Sequence, residues 1–175
     1  MNRFADLSTA RLRLTAVAVA DLADFHRLHS DPALYANEPE MRHPDLCHSR
    51  SVLDGLIEDW SVWGLGYWSV RDAATGRYLG CGGVRRNEVN WNVYYRLHLA
   101  DWGHGYAVEI LRLAAPCAAA VEVGAVLQAT IRPQNGPSRR VAEKLGMIFC
   151  GIQDDVGGAK QTYYQLPAKD VALPS

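Results

Sequence analysis

The sequence predicts a single α/β domain, with about seven strands in a mixed, mostly antiparallel sheet and helices on both faces. Two periodicities carry this prediction. Short runs rich in Val, Tyr, Trp and Thr recur along the chain, and between them apolar residues repeat at helical spacing. Length is the third observation. A chain of 175 residues with 49% hydrophobic residues buries roughly 70% of its unfolded surface around one core. Residues 1–175 are therefore expected to form one domain, with its core at about 9–167.

The elements follow in order. Arg11–Val17, RLRLTAV, alternates and reads as the first strand. Val19–Ser30 reads as a helix with Leu22, Phe25 and Leu28 on one face. A loop rich in Pro, Asp, Glu and His follows. Ser49–Trp63 reads as a second helix, with Val52, Leu53, Leu56, Ile57 and Trp60 at helical spacing and Ser49 or Ser51 as its cap. GYWSVRD and YLGCGGVRR read as two strands joined by the turn AATG, and Trp91–Leu99 as a fourth strand. A long helix starts near Gly103, with Ala107, Ile110, Leu111, Ala114, Ala118 and Val121 as its buried stripe and Pro116 inside it. AVLQATIR is the fifth strand. NGPSRRVAEKLG is a short helix stopped by Gly146. MIFCGIQD and QTYYQLP close as a hairpin, and the tail after Pro167 is expected to be loose.

Composition narrows the function. The net charge is -1, and no block of like charge points to nucleic acid or a membrane surface. Cys47, Cys81, Cys117 and Cys150 stand singly, which suits buried, reduced thiols better than a zinc site. No metal is expected. The first residues lack an apolar leader core and no run is long enough to span a bilayer, so a cytoplasmic protein is expected.

The stretch YYRLHLADWGHGYAVEI, Tyr94–Ile110, carries the functional signal. Gly103 and Gly105 stand between a strand and a helix. Glycine lets the backbone turn sharply and lets a ligand approach it closely. Free amides and the dipole at a helix start suit an anion, above all phosphate. A dinucleotide fingerprint would need a third glycine at Val108, and a P-loop would need Gly-Lys-Ser/Thr; neither is present.

Three stretches together resemble the GNAT acyltransferase superfamily, in particular its branch of RimJ/RimL-like N-acetyltransferases. They are GYWSVRDAATGRYLGCGGV, YRLHLADWGHGYAVEI and RPQNGPSRRVAEKLGM, in that order. The resemblance runs from TARLRL to TYYQL. It implies a sheet splayed between the fourth and fifth strands and acetyl-CoA as co-substrate. It places the pyrophosphate on Trp102, Gly103, His104, Gly105, Tyr106 and Ala107. It places the pantetheine arm along Tyr95, Arg96 and Leu97.

The same resemblance implies acetyl transfer to an amine without a covalent enzyme intermediate. Amides near Tyr95–Leu97 would stabilise the oxyanion. Asn135 and Ser138 would contact the donor near its sulfur, with Ser138 protonating the leaving thiolate. Asn92 stands where many relatives carry glutamate; it orients a water but takes no proton. Glu109 is expected to be structural. Glu38, Glu40, His43, Asp45 and His48 lie in a loop that borders the acceptor pocket in relatives, so the general base stays open among them. Trp60, Trp63, Trp68 and Trp91 are expected to pack the core, Trp63 and Trp91 being the two nearest irregular segments. Leu99 replaces a proline common in the branch.

A weak base favours a weakly basic acceptor. Neutralising a lysine at pH 7 costs about 4 kcal/mol, against about 1 kcal/mol for an α-amine. The expected partners are a coenzyme A thioester and an amine, on a monomer or homodimer. An acyl-CoA-binding regulatory module with weak catalysis is the alternative.

Overall fold

The computed structural model describes residues 2–154 and 160–170. Among the described residues, eight strands form one mixed sheet in the order β1-β2-β3-β4-β5-β6-β8-β7, accompanied by four α-helices. The strands are β1 (Asp6–Ser8), β2 (Leu12–Ala16), β3 (Tyr67–Asp72), β4 (Tyr78–Arg86), β5 (Trp91–Leu97), β6 (Val126–Ile131), β7 (Ile148–Asp154) and β8 (Lys160–Pro167). The helices are α1 (Leu22–His29), α2 (Leu46–Trp63), α3 (Tyr106–Val121) and α4 (Gly136–Lys144). The chain divides into two compact units, Met1–Gly83 with Tyr95–Tyr106, and Val84–Tyr94 with Ala107–Ser175.

In the first unit, β1, β2, β3 and β4 pair antiparallel in sequence. Leu12, Leu14, Trp68, Val70 and Leu79 fill its interior, with Phe25, Leu28 and Leu53 from the helices. The Trp68 indole donates to Phe4 O at 2.8 Å, which ties the N-terminal segment down. The strand β1 was not foreseen; three residues are too few to show an alternating pattern. Gly80 is the closest backbone approach. A Cβ there would stand 2.0 Å from Arg96 O, so only glycine lets β4 lie against β5.

The helix α2 starts earlier than its apolar pattern predicts, and neither Ser49 nor Ser51 caps it. Asp45 does, accepting from His48 N at 2.7 Å. Ser49 is fully buried instead, and its hydroxyl lies 2.8 Å from Nδ1 of both His26 and His43. One hydroxyl proton serves one ring, so the other ring donates to the Ser49 oxygen.

In the second unit, β6 pairs antiparallel with β8, and β8 with β7. The segment β5 joins parallel to β6 at Trp91↔Leu127 and Asn92↔Gln128. The core holds Trp91, Ile110, Leu111, Ala114, Ala118 and Leu127. Two residues of the predicted α3 stripe depart from it. Ala107 is only half-buried, and Val121 is exposed at the helix end. Glu122 sits at that end and accepts from the Trp91 indole at 2.8 Å while pairing with Arg86. Directly after Pro167, Ala168–Asp170 form a turn rather than a loose end, and the rest of the tail lies outside the described residues. Ala168 is buried and donates its amide to Ala125 O at 2.8 Å. The hairpin joining β7 to β8 matches the prediction, and its tip lies outside the described residues.

Candidate functional site

The glycine turn is built as its sequence demands. Gly103 and Gly105 each have φ +79°, a region that costs an L-residue roughly 1–2 kcal/mol. Both are exposed. A Cβ at Gly103 would meet nothing within 4 Å, and one at Gly105 only Arg11 Nη2 at 3.9 Å. Steric crowding from the protein is thus not why glycine stands here; backbone conformation and the open face are.

Neighbouring side chains brace the turn. Arg77 grips the buried Asp101 carboxylate with two bonds, at 2.9 and 2.6 Å. The Trp102 indole is half-exposed and donates to Leu97 O at 2.9 Å, which links the turn back to β5. The His104 ring stacks on Tyr106 at 5.7 Å. Arg11 was not foreseen. Its Nη1 donates to His104 O at 3.0 Å, and its guanidinium lies 4.8 Å above the Tyr106 ring. The turn therefore carries a fixed positive charge as well as main-chain amides. Ninety-three positions separate Arg11 from His104, and no local pattern links them.

Tyr95, Arg96 and Leu97 end β5, with Leu97 buried and the other two half-buried. Arg96 stacks on Tyr35 at 4.3 Å and donates to Leu34 O at 3.3 Å. This pins the loop after α1 against β5.

In the second unit, Asn135 caps α4, its Oδ1 accepting from Ser138 N at 3.1 Å. Ser138 is half-buried in the first turn of that helix. Asn92 is half-buried on β5, in register with Gln128. Glu109 lies in the first turn of α3, and Ala107 precedes it by two residues.

The loop candidates for a base separate in the structure. His43 is buried and its Nδ1 is tied to Ser49. Burial, with the nearby His48, pushes it down to about 4. His29 stacks on it at 4.8 Å, donates from Nδ1 to Phe25 O, and is pushed down to about 3 by burial. Neither ring takes up a second proton near neutrality. Asp45 is occupied as the α2 cap. Glu40 and His48 are exposed, and Glu38 is half-exposed. The tryptophans divide likewise. Trp60, Trp68 and Trp91 each donate to a fixed acceptor; Trp68 and Trp91 are buried, Trp60 is half-buried, and Trp63 is exposed. Among the described residues, no group of His, Cys, Asp and Glu suits a metal ion, and no helix is long and apolar enough to cross a membrane.

A mixed sheet with a brief parallel β5–β6 pairing and a glycine-opened helix after β5 is the arrangement of an α/β acetyltransferase fold. Residues 11–148 match the acetyltransferase (GNAT) domain, and the chain belongs to that family. The Bacillus subtilis (strain 168) protein YkkB, itself uncharacterised, is 30% identical over 154 residues, covering 85% of this chain and 88% of its own. An acetyltransferase from Agrobacterium tumefaciens str. C58 superposes with TM-score 0.77 at 22% identity, over 92% of this chain and 93% of that one. RimL, the ribosomal L7/L12 α-N-protein acetyltransferase solved with coenzyme A, gives TM-score 0.76 at 15% identity, over 91% and 95%. Mycobacterium smegmatis RimJ, solved in complex with CoA-disulfide, gives 0.70 at 20% identity, over 94% and 84%. At these identities the solved structures establish the shared fold.

Proposed function

We propose that the chain is an acetyl-CoA-dependent N-acetyltransferase acting on a primary amine, either a protein N-terminal α-amine or a small-molecule amine. The carrying observation is the turn at Gly103–Tyr106, where two exposed glycines at φ +79° and the Arg11 guanidinium suit a diphosphate. We assign the pyrophosphate contacts to Trp102, Gly103, His104, Gly105, Tyr106 and Ala107. A pantetheine arm, with its two amides, lies along Tyr95, Arg96 and Leu97 as an added strand. The β5–β6 register ends at Asn92↔Gln128, which supports that placement. The match across residues 11–148 draws on both compact units and supports one acetyltransferase domain.

The reaction is direct attack in a ternary complex. The neutral amine nitrogen bonds to the thioester carbon, main-chain amides of β5 hold the oxyanion, and the carbon–sulfur bond breaks as the oxyanion collapses. Ser138 gives its hydroxyl proton to the departing thiolate and regains one from the newly formed ammonium through water. Asn135 fixes Ser138 by capping its helix. Asn92 orients the acceptor without taking its proton.

Thiol release from acetyl-CoA, measured against a panel of amines, tests this. A rise in free thiol with at least one amine is expected, and Ser138→Ala should lower kcat with the coenzyme A Kd unchanged. Coenzyme A protection against melting without any amine-dependent thiol release would favour a regulatory acyl-CoA-binding module, the reading that Asn92 in place of a carboxylate keeps open.

A further inference from the structure

Three polar side chains make a continuous path through the first unit. Ser49 of α2 is fully buried, and its oxygen lies 2.8 Å from Nδ1 of His26 on α1 and 2.8 Å from Nδ1 of His43 in the loop before α2. If the hydroxyl accepted from both rings, its own proton would be buried without a partner, which is costly. It therefore donates to one ring and accepts from the other.

Burial decides which ring does which. His26 is half-buried, whereas His43 is buried, stacked on His29 at 4.8 Å and edge-on to His48 at 4.8 Å. A neutral ring that receives the Ser49 proton at Nδ1 carries its hydrogen at Nε2, and that N–H needs a partner. Water supplies one to the half-buried ring. Near neutral pH the Ser49 hydroxyl thus donates to His26 Nδ1, His43 Nδ1–H donates to Ser49 Oγ, and His43 Nε2 is bare.

An added positive charge has one favourable place. Around His29 and His43 the acting charges are His26 of α1, His48 of α2 and Arg96 of β5, none of them a carboxylate. From β4, the Cys81 thiol stands 3.9 Å from His29 Nε2 and is kept neutral by burial. Acids along the helices are engaged elsewhere: Asp24 with Arg27 and Arg71, Asp54 with Arg50, and Asp45 as the α2 cap. Water can hydrate a charge on half-buried His26 far better than one on the enclosed rings.

We propose that His43, Ser49 and His26 form a proton relay that senses mild acid. A solvent proton bonds to His43 Nε2. The His43 Nδ1 proton passes to Ser49 Oγ as the Ser49 proton passes to His26 Nδ1. One proton enters, the charge rests on His26, and His43 stays neutral but has exchanged a bare Nε2 for an Nε2–H. The switched ring sits in the loop between α1 and α2, which His43 N ties to His29 O at 2.9 Å and Arg96 pins against β5 through Leu34 O and Tyr35. That loop then registers outside acidity without a charge entering the interior.

Nitrogen NMR of the imidazole rings reads which nitrogen carries hydrogen. Between pH 8 and pH 5, a range in which histidine ordinarily titrates, wild-type His43 should pass from the Nδ1–H to the Nε2–H form. Its midpoint should coincide with the gain of charge on His26. In Ser49→Ala the bridge is gone, so His26 should still titrate while His43 keeps one form. His26→Gln, which cannot take the charge, should also hold His43 in one form and serves where the alanine variant fails to fold. A His43 form that stays constant while His26 titrates, a His43 ring that becomes charged instead, or a change of form that survives in the variants overturns the relay.

Discussion

The buried His29 should make the fold acid-sensitive by an amount that can be worked out in advance. Its ring lies inside the first unit, donates from Nδ1 to Phe25 O at 2.8 Å, and stacks on Phe25 and His43. Burial lowers its pKa from 6.5 to about 3. Above pH 6.5 folded and unfolded chains both hold it neutral, and titration costs nothing. As pH falls through 6.5 the unfolded chain takes a proton that the fold refuses. Stability then drops by about 1.4 kcal/mol per pH unit, down to the folded value. At pH 5 the loss from this one ring is about 2 kcal/mol, or roughly 4–8 °C in Tm for a chain of this size. His29→Asn keeps a donor near Phe25 O and removes the titration. Urea unfolding of both proteins at pH 7 and pH 5 reads the difference, with fluorescence and circular dichroism required to coincide. Wild type should lose about 2 kcal/mol more than the variant between the two pH values. Equal losses would show that the cluster opens or hydrates before it has to resist a proton, and the buried-neutral picture of His29 would be wrong.

Two further outcomes follow from the site. Gly105→Val puts a β-branched residue at φ +79°, so it should cost about 1–2 kcal/mol in urea unfolding and weaken coenzyme A binding in calorimetry by more than Arg11→Ala, whose backbone is unchanged; an unaltered Kd would remove the turn from the cofactor site. If no enzyme base titrates, log kcat/KM should rise with pH to the acceptor's own pKa, near 8 for an α-amine and about 10.4 for a lysine-type amine. An inflection that stays put when the amine is changed would reveal a base on the protein.

The elements fixed by local chemistry were legible in the sequence. Gly103 and Gly105 announce a turn because their φ values are ones other residues avoid. Asn135 announces a cap because a short side-chain oxygen before a helix has a waiting amide. Features set by distant partners were not. Ser49 looks like a cap from its neighbours alone, but His26 and His43 draw it into the interior, and Asp45 takes the cap four residues earlier. Arg11 reads as an ordinary strand residue until the fold lays it on the His104 carbonyl. Asn92, Gln128 and Gln165 stand in register across three strands, which only sheet pairing reveals. The pairing of β1 with β2 escaped notice because three residues carry no period.

The same geometry bears on where the reaction's proton goes. A general base must be basic enough to take up a proton near neutral pH and must reach the amine. His43 meets neither condition: it is buried, bonded to Ser49, and titrates near 4. Asn92 cannot accept a proton at all. Glu38, Glu40 and His48 stay open as bases; where none of them reaches the amine, selectivity falls to whichever amine arrives already neutral and fits. An α-amine meets the first requirement, since its pKa lies near the working pH. Orientation of an already neutral nucleophile against a held thioester supplies the large entropic part of the barrier.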